Sequence, residues 1–256
     1  MIDLRRIEEL SLNSSAPPAQ LLYDGWLLRL SPGKAKRARS VNAVYPSALA
    51  LEHKIAHCER LYEEANLPML FRITPFSQPP QLERSLEARG YTRLEPTAVE
   101  TAPLETAPAN GGARVMELGP WIDAVAELRG SPMAHRDAHL ARLERMPLAK
   151  CAVAVEEGGR VLATGLAVIE DGVAGLFDIV TREDARRRGY ARRVVATLLH
   201  LAHGLGARHA YLQVESDNMA ARPLYRDFGF TQSYQYWYRA RPLESPDKSG
   251  TPGQGL

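Results

Sequence analysis

The sequence is poor in cysteine, in charge of one sign and in long apolar runs, and each shortage excludes something. Two cysteines, Cys58 and Cys151, stand far apart in 256 residues, which rules out a disulfide framework and the paired spacing of a zinc site. Free thiols in a reducing compartment are expected. Lys and Arg number 32 against 30 Asp and Glu, a net charge of +2, and a dedicated nucleic-acid binder needs a larger basic surplus. No run approaches the roughly 18 apolar residues of a membrane span. The first ten residues, MIDLRRIEEL, form a charged amphipathic stretch without the apolar centre of a signal peptide. A cytoplasmic protein with neither a membrane nor a nucleic-acid partner is the expectation. What is present, 45% hydrophobic and 24% charged residues, is the balance of a globular protein with a sizeable core, in one large domain or two smaller ones.

Composition divides the chain. TAPLETAPANGG at 101–112 alternates Pro, Ala, Thr and Gly and reads as a linker, and ESPDKSGTPGQGL at 244–256 has nothing to bury. The expected units are 1–105, 113–242 and a disordered tail at 243–256. In the second unit, helical patterns at 121–129 and 134–146 precede three strand-like runs at 150–155, 160–169 and 173–180. Glu157-Gly-Gly159 and Asp171-Gly172 turn between them. Ala191, Val194, Val195, Leu198 and Ala202 recur at helical spacing, followed by a strand at 209–214, a helix at 218–228 and a strand at 231–238. Helices, an antiparallel meander and then β-α-β make a mixed α/β (α+β) sheet protein. The first unit has strands at 26–30 and 40–44, a helix at 47–65, a strand at 69–74 and a helix at 81–89. Its end, LEARGYTRLEP, resembles LYRDFGFTQSY of the second unit, a weak internal repeat.

Arg186-Arg187-Arg188-Gly189-Tyr190-Ala191 lies between a strand and an amphipathic helix. A turn there aims successive backbone N–H groups at one spot in front of a helix N-terminus, which favours a phosphate. Gly189 lets the backbone approach a ligand closely, and the arginines add charge around a pyrophosphate. A solvated basic helix start is the plainer reading of the same residues. Downstream, Asn218, Ala221, Leu224, Tyr225, Gly229 and Phe230 form N-x-x-A-x-x-L-Y-x-x-x-G-F.

The two motifs in this order resemble the GNAT superfamily of N-acetyltransferases over about 113–242. DGWLLRL, RARSVN and YQYWYR are similar to a bacterial subgroup with a degenerate GNAT-like N-terminal half. That half lacks an R-x-x-G-x-A loop, and Leu86 stands where the second half has Tyr225. The resemblance implies a tandem of a degenerate and an intact GNAT fold, with acetyl-CoA as cosubstrate and no metal. It implies that backbone groups of Ile179, Val180 and Thr181 pair with the pantetheine arm and that Arg186, Arg187, Arg188, Gly189, Tyr190 and Ala191 hold the pyrophosphate. Asn218 then contacts the cofactor arm and Tyr225 protonates the departing thiolate. The alternative for Tyr225 is an aromatic packed on the sheet. The connection from Val180 to Gly189 is one residue longer than the family's commonest form, so the pairing residues can shift by one.

An amine of pKa about 10.4 is only about 0.04% neutral at pH 7, a deficit of about 4.6 kcal/mol, so its proton must be removed. Asp178 is the preferred base, with Glu215 or a chain of waters as alternatives. The acceptor implied is a small-molecule amine, and the protein a monomer or homodimer. A protein or peptide acceptor, a non-catalytic CoA-binding regulatory module, and an RNA-associated protein using 34–39 and 186–193 are the other readings. His53, His57, His135, His139, His200 and His203 read as surface histidines. Lys34, Lys36, Arg37 and Arg39 read as a turn between strands or as a contact for an anionic substrate or for the cofactor's phosphates. Tyr234, Tyr236 and Tyr238 line a cleft or pack in the core.

Overall fold

Short alternating runs broken by glycine turns favour strands, and in the computed structural model every strand joins one sheet. Residues 2–33 and 35–241 are described, so the expected tail at 243–256 and Lys34 lie outside the described residues. The first half runs α1 (Leu4–Asn13), β1 (Gln20–Tyr23), β2 (Trp26–Arg29), a 3-10 turn at Lys36–Arg39, β3 (Val41–Asn42), α2 (Leu51–Glu64), β4 (Leu70–Ile73), α3 (Leu82–Ala88) and β5 (Thr92–Pro103). The second runs β6 (Arg114–Val115), α4 (Leu118–Arg129), α5 (Met133–Arg145), β7 (Ala149–Glu157), β8 (Arg160–Glu170) and β9 (Val173–Thr181). It closes with α6 (Tyr190–Gly204), β10 (His209–Glu215), α7 (Arg222–Arg226) and β11 (Thr231–Ala240).

The β8–β9 hairpin turns at Asp171 (φ 51°) and Gly172 (φ 72°), the two positive φ values that a two-residue hairpin loop of type I′ needs. Asp3 caps α1 by accepting from the Arg5 amide at 2.9 Å. The helix expected over 218–228 shrinks to Arg222–Arg226. Asn218 takes the Ala221 amide on its side-chain oxygen and so holds the preceding residues in a turn.

Among the described residues the sheet has 11 strands in the order β1-β2-β3-β4-β11-β5-β10-β9-β8-β7-β6. The chain division at 105–113 does not divide it. β5 of the first half lies between β10 and β11 of the second, antiparallel to both, and β11 pairs in turn with β4. Where the two similar segments end their helices, Gly90 and Gly229 both have φ 81°, a helix end that glycine favours generally. The next amide in each, Tyr91 or Phe230, donates to Leu86 or Tyr225 respectively.

Packing follows the two faces. α6 covers one face with Val194, Val195, Leu198 and Ala202 against strand residues such as Ala174, Ala210 and Leu212. On the opposite face, α1 packs Ile7 and Leu10 against Tyr211, Tyr234, Tyr236 and Tyr238, and α4 and α5 bring Trp121, Ile122 and Leu143 onto β7 and β8. α2 and α3 close a separate apolar cluster around Trp26, Phe71 and Tyr91. The linker is a strap across α6: the Ala113 amide donates to Thr197, and Arg193 donates to the Gly111 carbonyl.

Candidate active site

The parallel pairing of β9 with β10 runs only from Val173–His209 to Leu176–Leu212. Beyond it the strands part, and the backbone of β9 facing β10 is left without a strand partner. β8 follows β9 past the fork with a bulge: Leu166 pairs Phe177 and Thr164 pairs Val180, so Gly165 opposes both Asp178 and Ile179. Such a bulge re-aims side chains. Asp178 sits in it at φ 50°, its carbonyl accepting from Thr164 at 3.2 Å. Behind the bulge α6 comes so near that a Cβ on Gly165 would lie 2.4 Å from Val194. Ile179, Val180 and Thr181 are therefore placed along the open edge of the fork.

On the α6 face the fork ends at the basic loop. Gly189 has φ 82°, a left-handed conformation that favours glycine, and Arg187 shares it at φ 64°. The Arg193 amide bonds back to Gly189. The amides of residues 187 to 192 have no acceptor among the described residues. Arg186, Arg187, Arg188 and Gly189 are exposed, whereas Tyr190 is buried with its hydroxyl donating to Glu157 at 2.7 Å. A row of free amides at the head of a 15-residue helix and beside three guanidiniums suits a phosphate group.

Across the fork, Tyr225 is 8% exposed and meets Phe230 edge to face at 6.2 Å. Burial and then Glu100 push its phenol up to about 12, so it stays protonated at neutral pH. Its hydroxyl has no hydrogen-bond partner among the described residues. Asn218 is exposed just beyond β10, its oxygen used locally and its amide nitrogen without a partner among the described residues.

The opposite face holds the charges. Asp178 pairs with Arg129 at 2.8 Å and lies 3.2 Å from His139 Nε2, a contact that lacks hydrogen-bond alignment. Burial alone would raise its pKa, but His139 and Arg129 outweigh burial and hold the carboxyl well below the usual range. His139 is thus half-buried against Asp178 and Trp121, not a surface histidine. His57 stacks on Tyr23, and His200 and His203 reach the strap carbonyls. From the first half, Arg37 stands at the fork itself, 5.5 Å from the Phe177 ring centroid and hydrogen-bonded to Gln213. The sequence shows that basic turn but not its placement, because its partners lie more than a hundred residues away. Tyr234, Tyr236 and Tyr238 are buried, which makes them core packing, with Tyr236 also reaching Gln213 at 3.2 Å. Glu215 is exposed at the strand end. Among the described residues no His, Cys, Asp and Glu cluster could hold a metal, and no helix is long and apolar enough to cross a membrane.

A family model described as Acetyltransferase (GNAT) family matches residues 121–230. The uncharacterized N-acetyltransferase YobR of Bacillus subtilis (strain 168) is 32% identical over 252 residues, covering 94% of this chain and 100% of the relative. The chain belongs to the GNAT family of acetyltransferases. Solved GNAT structures share its fold along most of its length. A GCN5-related N-acetyltransferase from Kribbella flavida superposes with a TM-score of 0.69 at 18% identity, over 93% of this chain and 95% of that one. A tandem GNAT protein from the clavulanic acid biosynthesis pathway superposes at 0.56 and 16% identity, over 95% and 90%. The GNAT match begins at Trp121 in α4 and ends at Phe230, so it contains the fork, the basic loop and Tyr225. The first half adds Arg37 to that GNAT unit and supplies β5 inside its sheet.

Proposed function

We propose that this acetyltransferase moves an acetyl group from acetyl-CoA to the amine of a small molecule by direct attack at the β9–β10 fork. The observation that carries the reading is the alignment of an unpaired strand edge, Ile179 to Thr181, with the free amides of the loop ending at Gly189. The loop would hold the pyrophosphate, the strand edge and Asn218 the pantetheine arm, and the thioester would then lie near Tyr225. Acetyl-CoA supplies the activated acyl group; the chain binds, orients and handles protons. Tyr225, kept protonated by burial, gives its proton to the departing sulfur and regains one from solvent.

Asp178 is not the base in this reading. A carboxylate held by Arg129 and His139 has little affinity for another proton, so it serves as an ion-pair partner at the bulge. The amine's proton goes to solvent instead, and the surrounding guanidiniums help, since nearby like charge disfavours an ammonium. A small acceptor fits because α1, the Lys36–Arg39 turn and α5 all bear on the face where the acceptor would enter.

The test is release of CoA thiol from acetyl-CoA across a panel of amines, with wild type and Tyr225→Phe. Amine-dependent release that falls on substitution supports the reading. Binding of acetyl-CoA without turnover on any amine or peptide leaves a CoA-binding module in its place.

A further inference from the structure

Three arginines converge on the acceptor side of the fork without a carboxylate to meet them. Arg37 uses one of its N–H groups on Gln213 and rests on Phe177. Arg142 of α5 donates to the Ser14 carbonyl at 2.9 Å. Arg29, 1% exposed, donates to the carbonyls of Leu12 at 2.5 Å, of Ser15 at 3.2 Å and of Arg37 at 3.2 Å, and its Nε has no partner. Among the described residues none of the three forms a salt bridge, while Asp178, the acid that attracts Arg142, is already taken by Arg129 and His139.

The C-terminal end of α1 accounts for part of this. Its last carbonyls and its dipole receive Arg29 and Arg142, but a helix end amounts to about half a charge against three guanidiniums. They also repel one another. Burial first, then Arg72, Arg37 and Arg142, lowers the Arg29 pKa, and burial followed by Arg37 works against the attraction of Asp178 to lower that of Arg142. Arg37 is the least committed: it lies on a 3-10 turn, half-buried, and among the described residues most of its five donors are unused. Its ring contact Phe177 and its hydrogen-bond partner Gln213 are the first residues of β9 and β10 beyond their last paired positions. A group it held would sit at the mouth of the fork.

We infer that the acceptor amine carries an anionic group, a carboxylate or a phosphate, which Arg37 receives at the fork with Arg142 behind it. This rests on the acetyl-transfer reading and narrows its substrate class to small acidic amines. A planar guanidinium with free parallel donors matches either anion, and the anion offsets the surplus positive charge that a plain ammonium would only increase.

Matched acceptors test it: β-alanine against propylamine, and phosphoethanolamine against ethanolamine, by thiol release. Wild type should favour the acidic member of at least one pair by about tenfold or more in kcat/KM, the scale of one charge-assisted hydrogen bond. Arg37→Gln should bring that ratio towards one through KM, and Arg37→Lys should restore part of it. A second measurement does not depend on turnover. Inorganic phosphate, against chloride of equal ionic strength and with saturating CoA present to fill the loop at Gly189, should raise the melting temperature of wild type but not of Arg37→Gln. Equal or better use of the neutral amines, or a phosphate effect identical in both proteins, overturns the inference. Calorimetry of acetyl-CoA separates the two failures. Retained CoA binding with no Arg37-dependent anion effect removes only the acidic acceptor, whereas an anion effect without CoA binding removes the transferase reading.

Discussion

The guanidinium of Arg72 lies 3.8 Å from the centroid of the Tyr236 ring, joining a strand of the first half to the closing strand of the second. Arg72 also pairs with Glu8 of α1, and Glu8 receives the Tyr234 hydroxyl. With Arg72 1% and Glu8 4% exposed, the pair is a buried ionic knot where α1, β4 and β11 meet. Removing one partner of such a pair typically costs about 3–5 kcal/mol, because the other charge is left buried.

Glu8→Gln should therefore lower stability by about 3 kcal/mol or more while keeping a hydrogen-bond acceptor for Tyr234. Because β5 and β11 interleave the halves, the loss should appear as one cooperative transition at lower denaturant. Chemical denaturation followed by tryptophan fluorescence and by circular dichroism checks this. Two separated transitions would mean that the halves unfold independently.

Tyr225→Phe should lower kcat by about 10²-fold, the lower end for a general acid, since a thiol of pKa near 8.5 is a fair leaving group unaided. KM for acetyl-CoA should hardly change. Steady-state kinetics over a pH series checks it, and an unchanged kcat would reduce Tyr225 to packing.

Asp178 predicts an acid-labile contribution. Its folded pKa is depressed below an unfolded value of about 3.9, so the stability it contributes is complete above that value and is lost progressively as pH falls from there through the lower folded pKa. Asp178→Asn should destabilise the protein near neutral pH and flatten its melting profile below about pH 4. Thermal melts across that range decide it, and parallel profiles for the two proteins would contradict the pairing with Arg129 and His139.

Gly111→Ala tests the strap. A Cβ there would lie 2.1 Å from the Arg193 carbonyl oxygen and 2.7 Å from its Cα, both backbone atoms that cannot swing aside. The strap must lift from α6, at a cost of about 1–3 kcal/mol. Gly119→Ala, where a Cβ meets nothing within 4 Å, is the control in the same thermal melt.

Much of this was legible in the sequence because it is local. The meander, the amphipathic α6 and the loop at Gly189 follow from periodicity and turn chemistry within short windows. The linker expected over 101–112 was legible only in part: Thr101 to Pro103 belong to β5 and pair with β10, and nothing local shows that Asn110, Gly111 and Ala113 fasten to Thr197 and Arg193. What stayed hidden depends on pairing between distant segments. Alternation in β5 says that one face is buried, not that the strand will sit between β10 and β11. His139 looked like one more exposed histidine because Asp178 comes from a bulge on another element. The basic turn at Lys36–Arg39 gave its charge but not its address: Arg37 meets Phe177 and Gln213 only once the first half has packed beside the fork.

Calorimetry of acetyl-CoA with wild type and Gly189→Asp tests the central claim most directly. Gly189 is exposed and its Cβ would meet no protein atom within 4 Å, so a carboxylate there would project into the space of the pyrophosphate and repel it. Melting temperature and circular dichroism establish that the variant is folded, since the position has φ 82°. The account predicts saturable binding of acetyl-CoA by wild type and none by the folded variant. No binding by folded wild type, or equal binding by both, would contradict the placement of the cosubstrate at this fork.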